Sequence, residues 1–304
     1  MRRGVAGAPL SALLAAGTYY LAVSATAPTT LDVRAELSAP TTPPADETCD
    51  SGATLAPNVT TDLTYAQHQD DLALTCFANA TDAAYTLDLA QASDVLLALR
   101  TSISDSSAVA LLDAACDPAA ALTCTTGTKS PVRSRRRNVA AGSYRVVTES
   151  ALALPQQLTA FVRPYAPAKL VPIAEACGDA VDIPPEGAFL QGNTSARTAD
   201  FSAGCDAAGG PPNGAPDQLL RLELTEEKRV VLDATGSGYD VLLDVRKGPS
   251  CPGTEVPLGC SATISGIRPY LDLTLQPGTY FVQIDGLSGA VGPWNLDVYV
   301  VDPP

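Results

Sequence analysis

The eight cysteines of this chain fall into two sets of four, and this duplication constrains the fold more than any other feature. In the first set the separations are 27, 40 and 8 residues, and its members are Cys49, Cys76, Cys116 and Cys124. In the second set they are 28, 46 and 9 residues, and its members are Cys177, Cys205, Cys251 and Cys260. A length of 304 residues suits two domains. The spacing therefore predicts a tandem repeat, with units at residues 45–166 and 173–302.

Each unit contains short runs in which apolar and polar residues alternate. Residues 85–89 correspond to 220–224, and each set of cysteines is followed by a Gly-Ser/Thr-Tyr motif that begins at Gly142 or Gly278. Glycine at these positions fits a turn whose backbone needs positive φ. Residues 108–121 are rich in Ala and Leu, but they align with the apolar run 241–245, so we expect a strand there. The pattern predicts an all-β fold of tandem antiparallel β-sandwich (jelly-roll-like) domains, each with two disulfides.

Paired cysteines and a single histidine indicate disulfides formed in an oxidising compartment, so we expect a secreted or cell-surface protein. Four cysteines in a unit allow three connectivities. The segments between the closely spaced cysteines contain turn residues that would fold the chain back on itself. This favours neighbouring pairs, namely Cys49–Cys76, Cys116–Cys124, Cys177–Cys205 and Cys251–Cys260.

The N-terminal 40 residues have two interpretations. Met1-Arg2-Arg3, an uncharged stretch and then Ala25-Thr26-Ala27 are typical of a secretory signal peptide. However, residues 17–23 match 278–284, and 31–33 match 296–298, so the segment also fits the tail of a truncated preceding repeat, folded as a two-strand hairpin. Both alternatives stay open from the sequence. Short Pro-rich joints precede the two units, at 41–46 and 164–172, and we interpret them as semi-stiff linkers.

Charge and composition narrow the classes of partner. The net charge is −14, which disfavours nucleic acid because phosphate binding needs a basic face. We expect no membrane insertion, because no apolar run after the N-terminal stretch is long enough to span a bilayer. The basic run Arg133–Arg137 fits an exposed edge strand blunted by charge, with a polyanion patch or a processing site as alternatives. The expected partner is an extracellular protein or polysaccharide, and we expect a monomer.

No catalytic constellation is visible in the sequence. His68 is the only histidine, so a serine-peptidase triad would depend on it alone, and a zinc site of the His-Glu-x-x-His type is excluded. We interpret His68 as an ordinary polar loop residue and predict no catalytic residue, no cofactor and no enzyme activity. Trp294, Tyr239 and Tyr270 would suit a sugar-stacking platform, but burial is the commoner role of such residues.

Residues 273–286, which include Pro277-Gly278-Thr279-Tyr280, and residues 292–298 resemble the bacterial pre-peptidase C-terminal domain family. The resemblance is good over 217–301 and weaker over 82–163. It implies a sandwich that acts as an accessory module of exported hydrolases. Related collagen-binding modules bind calcium near the start of the module, and the acidic residues at the corresponding places here are Asp46, Glu47, Asp50, Glu175 and Asp179. Solvated acidic turns are the simpler interpretation of these residues.

The sequence therefore predicts an exported, non-catalytic accessory or attachment module. Two alternative hypotheses stay open from the sequence. In one, the chain is the C-terminal part of a larger secreted peptidase; in the other, it is a carbohydrate-binding protein.

Overall fold

The computed structural model describes residues 14, 16–25, 27–39, 42–50, 53–77, 80–101, 105–172, 174–206 and 214–304. The described residues form β-strands and two short 3-10 turns, at Pro118–Ala120 and Leu287–Gly289. The strands of the first half are β1 Thr60–Leu63, β2 Thr81–Leu89, β3 Ser93–Thr101, β4 Ser107–Leu112, β5 Thr123–Gly127, β6 Val132–Val139, β7 Gly142–Ser150 and β8 Gln156–Pro164. Those of the second half are β9 Lys169–Leu170, β10 Val181–Asp182, β11 Phe189–Asn193, β12 Gln218–Leu224, β13 Lys228–Asp233, β14 Val241–Lys247, β15 Thr254–Ala262, β16 Tyr270–Leu275, β17 Gly278–Gly286 and β18 Pro293–Val301.

The first eight strands form a sandwich of two antiparallel sheets, ordered β1-β8-β3-β6 and β2-β7-β4-β5. Alternate residues of each strand point inward, as the period of two requires. The core between the sheets includes Leu87, Leu97, Val109, Val146 and Leu158, all fully buried. We refer to this half as the first sandwich.

The second sandwich repeats this strand order. Its sheets run β16-β13-β18-β11-β9 and β10-β12-β17-β14-β15, so β11 to β18 occupy the places of β1 to β8. The two-residue strands β9 and β10 pair in parallel with β11 and β12. The predicted all-β sandwich class is confirmed, and the Ala-rich stretch is a strand over Ser107–Leu112, as expected, although a 3-10 turn follows.

The Gly-Ser/Thr-Tyr motif begins the strand that is central in its sheet. Gly142 has φ 153° and Gly278 has φ 147°, values that residues with a side chain rarely adopt. The tyrosine two residues later closes the turn, since the Tyr144 hydroxyl donates to the Ala140 carbonyl and the Tyr280 hydroxyl donates to the Gln276 carbonyl. The duplicated glycine is thus explained by the backbone of the turn.

The predicted disulfide pairing was wrong. In each unit the first cysteine pairs with the third and the second with the fourth, giving Cys49–Cys116, Cys76–Cys124, Cys177–Cys251 and Cys205–Cys260. The chain does reverse between β4 and β5, but Cys116 lies in the connecting loop and joins Cys49, whereas Cys124 lies on β5 opposite Ala110 and joins Cys76. These bridges close loops of 48 to 74 residues, and chain entropy gives each about 4 kcal/mol.

The two sandwiches pack against each other through an apolar layer. Phe161 of β8 and Tyr299 of β18 are fully buried, with ring centroids 6.0 Å apart. Leu96, Val231 and Val301 belong to the same cluster. These residues alternate with the core residues of their strands, so both faces of β3, β8, β13 and β18 are covered. The segment 164–172 is therefore not a free linker, and part of it forms β9.

A layer of ion pairs surrounds this apolar contact. Arg163 Nη2 lies 2.8 Å from Asp94 Oδ2 and 2.5 Å from Asp297 Oδ1, and both carboxylates are fully buried. Arg135 reaches Asp297 at 3.0 Å, and Arg133 reaches Asp233 at 2.5 Å. The pairs that involve Asp233 and Asp297 therefore join the first sandwich to the second, whereas Asp94 and Arg163 both belong to the first.

The prediction that the arginines of residues 133–137 lie on an edge strand is confirmed, since β6 is an outer strand of its sheet. Their expected role as solvated charge is wrong for three of the four. Arg133, Arg135 and Arg137 keep only 8%, 19% and 22% of their side chains exposed, since they pair with Asp233, Asp297 and Asp94. Arg136 alone points to solvent.

The described part of the N-terminal segment forms no strand over 16–25 and 27–39. Tyr19, Leu21, Val23, Leu31 and Val33, which the hairpin interpretation placed on strand faces, are 45% to 66% exposed. Strands of the β17 and β18 type lie in opposite sheets, so two such strands cannot pair with each other as a hairpin. Residues 1–13, 15 and 26 lie outside the described residues. None of the helices in the described chain is long and apolar enough to cross a membrane.

Candidate metal sites

Three buried carboxyl groups lie near one another in the first sandwich. Asp82 on β2 stands opposite Glu149 on β7, and both are fully buried. Glu47, from the segment that leads into the sandwich, is 4% exposed. Asp82 Oδ1, Glu149 Oε2 and both side-chain oxygens of Glu47 have no hydrogen-bond partner. We call this group the first acidic pocket.

Backbone amides hold the other oxygens of this pocket. The amides of Asp71 and Leu72 donate to Asp82 Oδ2 at 2.8 and 2.9 Å, and the amide of Leu74 donates to Glu149 Oε1 at 2.9 Å. The loop 70–74 therefore wraps over the carboxylates. These hydrogen bonds hold one carboxylate oxygen of Asp82 and one of Glu149. The other oxygen of each residue is buried without a hydrogen-bond partner.

The second sandwich carries a matching group, the second acidic pocket. Asp217 directly precedes β12, Asp285 lies on β17, and both are fully buried. The amides of Asp200 and Phe201 donate to Asp217 Oδ2 at 3.1 and 2.9 Å, as those of Asp71 and Leu72 do for Asp82. Asp217 Oδ1 has no partner, whereas Asp285 Oδ1 accepts from the Ala215 and Gly286 amides and Asp285 Oδ2 accepts from Gln283 Nε2. Glu175 occupies the place of Glu47 but is only half-buried.

Burial is the main cause that raises the pKa of each buried carboxyl group. In the first pocket it raises the pKa of Glu47 and of Asp82 to about 7, and that of Glu149 to about 8. In the second pocket the pKa of Asp217 and of Asp285 is raised to about 7. Neighbouring carboxylates contribute in every case, and the amide bonds offset only part of the effect. For Glu47 the opposing influence is the nearby His68 side chain and not an amide, and burial outweighs it.

The donor set fits a hard divalent cation. Calcium prefers carboxylate and carbonyl oxygens, and the unpartnered oxygens are carboxylate oxygens of three residues in the first pocket and of Asp217 in the second. The carboxylates are not drawn together, because no three of them have oxygens that all lie within 4.8 Å of one another. Such close grouping occurs among the described residues only at Asp244, Glu255 and Cys260. There Arg246 already neutralises Asp244 and Cys260 is in a disulfide, so that group is a poor cation site.

The structure separates the acidic residues that the sequence singled out. Glu47 lines the first pocket and Glu175 lies beside the second. Asp50 and Asp179 are exposed. Asp46 accepts hydrogen bonds from the Tyr85 hydroxyl and, at 2.9 Å, from His68 Nε2. It is therefore already occupied.

Sequence reasoning missed Asp82, Glu149, Asp217 and Asp285, which form the buried part of the pockets. Their signal was present in the repeat, because Asp82 and Asp217 stand at corresponding positions, as do Glu149 and Asp285. Acidic residues that recur at two aligned positions, in register with each other on neighbouring strands, would have identified them.

The other residues that the sequence offered as catalytic or sugar-binding candidates are buried or already bonded. His68 lies in the loop between β1 and β2, as interpreted, but its side chain is only 2% exposed and bonds Asp46. All eight cysteines are in disulfides. Trp294 is buried and donates to Gln218, Tyr239 is buried, and Tyr270 lies against the guanidinium groups of Arg100 and Arg133. These aromatic residues are packing residues and form no exposed stacking platform.

Comparison with solved structures finds likenesses of low sequence identity. No protein-family model matches the chain, and no curated protein matches it. A crystal structure of the pre-peptidase C-terminal domain of a collagenase from Bacillus anthracis aligns with TM-score 0.24 and 9% identity, covering 45% of this chain and 97% of that one. The human MASP-1/3 CUB1-EGF-CUB2 fragment aligns with TM-score 0.21 and 10% identity, covering 80% of this chain and all of that one.

Proposed function

We propose that this chain is an extracytoplasmic, non-catalytic attachment module that binds an extracellular polymer. The observation that carries the proposal is the buried contact between the sandwiches. Phe161 and Tyr299 form its centre, and Arg163 bridges two fully buried carboxylates across it. The two sandwiches therefore act as one rigid body. A rigid pair loses little conformational entropy when both halves contact one polymer.

The four disulfides support the extracytoplasmic part of this proposal, because such bridges persist in oxidising compartments. The absence of a free thiol among the described residues and the bond between His68 and Asp46 support binding rather than nucleophilic catalysis. Neither group is available to attack a substrate.

We also propose that each acidic pocket holds one calcium ion. In the first pocket Glu47, Asp82 and Glu149 would hold it, and in the second Asp217, Asp285 and Glu175. A bound cation would neutralise the buried carboxylates and tie the segments at 47 and 175 to the sheets. Its role would be structural, since the carboxylates are buried between the outer face of a sheet and the loop that covers that face.

Retention on insoluble polymers tests the function. The purified chain is mixed with chitin, cellulose, peptidoglycan or fibrous collagen, in calcium or in a chelator, and the bound protein and the soluble products are both measured. We expect saturable retention on at least one polymer without release of fragments, and weaker retention after chelation. Turnover that is lost when a single Asp, Glu or Ser is changed would contradict the proposal, as would a lack of retention on every polymer.

A further inference from the structure

An open polar groove of about 480 Å³ lies where the two sandwiches meet. The first sandwich contributes Thr60, Asp62, Arg100 and Gln157, and the second contributes Arg229, Asp272, Thr274 and Pro304. β1 and β16, which carry several of these residues, are each the outer strand of their sheet. The groove therefore exists only because the interface fixes these two edges beside each other.

The floor of the groove is a rigid cluster of charges. Arg229 donates to both oxygens of Asp272, at 2.8 Å each, and Arg100 donates to Asp272 Oδ2 at 2.7 Å. Arg229 also reaches across the interface to Thr60 Oγ1 at 2.9 Å. Burial opposes ionisation of Asp272, but the two guanidinium groups outweigh it and hold its pKa below the ordinary value. The side chains are thus positioned before any ligand arrives.

The walls of the groove are exposed and polar. Asp62 and Gln157 are cross-strand partners, and Gln157 Nε2 donates to Asp62 Oδ1 at 2.9 Å. Thr274, the cross-strand partner of Arg229, is exposed on the side of the groove that the second sandwich contributes. A carboxylate, an amide, a hydroxyl and the partly exposed Arg100 guanidinium therefore face the same space.

The charge balance selects the class of ligand. Among the side chains that line the groove, Arg100 and Arg229 are matched by Asp62 and Asp272, so these side chains together carry no net charge. An anionic polymer would meet two carboxylates, and an apolar ligand would leave the polar walls unpaired, which costs free energy. A neutral ligand with many hydroxyl groups can both donate to the carboxylates and accept from the amide and guanidinium groups. The volume is within the usual range for small-molecule sites.

We propose that this groove binds a short stretch of a neutral polysaccharide, recognised by hydrogen bonds to its hydroxyl groups. The inference rests on the proposed attachment function and names the ligand class and the site. Sugar stacking on an aromatic ring plays no part, because Tyr270 is covered by Arg100.

Calorimetric titration of the intact protein tests the inference. The probes are neutral oligosaccharides of four to six sugars from cellulose, chitin, mannan and xylan, with oligogalacturonate as the anionic comparison. We expect at least one neutral probe to bind. Gln157→Ala and Asp62→Asn each remove one partner and are expected to weaken binding about three- to tenfold. The matched controls Gln276→Ala and Asp88→Asn alter exposed residues outside the groove and are expected to leave affinity unchanged.

The outcomes distinguish the inference from the function on which it rests. If no neutral probe binds, if oligogalacturonate binds more tightly, or if the groove variants bind as well as the controls, the groove inference is wrong. Retention of those same variants on an insoluble polymer would then leave the attachment function standing. Loss of retention by the unaltered protein on every polymer would contradict the attachment function itself. Trp294 fluorescence confirms that each variant is folded.

Discussion

Arg163→Ala is the sharpest perturbation of the contact between the sandwiches. The side chain is 3% exposed and bonds Asp94 and Asp297, which are fully buried. Removal of one partner of a buried ion pair costs about 3–5 kcal/mol. Asp94 would keep Arg137 at 3.2 Å and Asp297 would keep Arg135 at 3.0 Å. We therefore expect the lower end of that range, about 3 kcal/mol.

Urea unfolding with intact disulfides, followed by two signals, measures this effect. Trp294 is the only tryptophan and lies in the core of the second sandwich, whereas far-ultraviolet circular dichroism reports both sandwiches. For the unaltered chain we expect the two transitions to coincide, because the interface couples the sandwiches. In Arg163→Ala both midpoints fall and the transitions separate. Arg136→Ala, on the exposed side of β6, is the matched control. Equal midpoints in the two variants would refute the reasoning.

Three further predictions follow from the buried contacts. The carboxyl groups of both acidic pockets have folded-state pKa values of about 7 to 8. Since ordinary values are about 4, the chelated protein binds extra protons when folded, and we expect its thermal midpoint to fall as pH rises from about 5 to 8. A flat or rising profile would contradict this. Separate units 45–166 and 173–302 would expose Phe161 and Tyr299, so we expect each to associate or precipitate in sedimentation experiments, whereas two stable monomers would argue against a tight interface. Peptide mapping without reduction is expected to find Cys49–Cys116 and Cys177–Cys251, and recovery of Cys116–Cys124 would overturn the described connectivity.

The repeat made most of the fold predictable. Residues 85–89 and 220–224, aligned by their alternation alone, occupy the same place in the two sandwiches, and the Ala-rich run at 108 was correctly taken as a strand because its counterpart at 241–245 is one. Alternation reports which face of a strand is buried, and it is a local property that a single sequence displays directly.

The long-range contacts were less predictable. Disulfide pairing depends on which loops approach β5 and β15, and spacing along the chain does not encode that approach. The arginines of β6 were correctly predicted to lie on an edge strand. Their ion-pair partners were not predicted, because Asp233 and Asp297 lie more than 90 residues further along the chain. The sequence identified only part of the first acidic pocket. Glu47 was singled out because it lies at the start of its unit, whereas Asp82 and Glu149 were missed because the pairing of β2 with β7 brings them together.

The most direct test of the proposed cation sites is the number of calcium ions bound to the folded chain. Native mass spectrometry after calcium loading and removal of free metal is expected to find about two ions per chain, one for each acidic pocket. Asp82→Asn and Asp217→Asn are each expected to lose one ion, and the Asp50→Asn control, which alters an exposed residue, none. A chain that binds no calcium, or that keeps two ions when both Asp82 and Asp217 are replaced, would contradict the account.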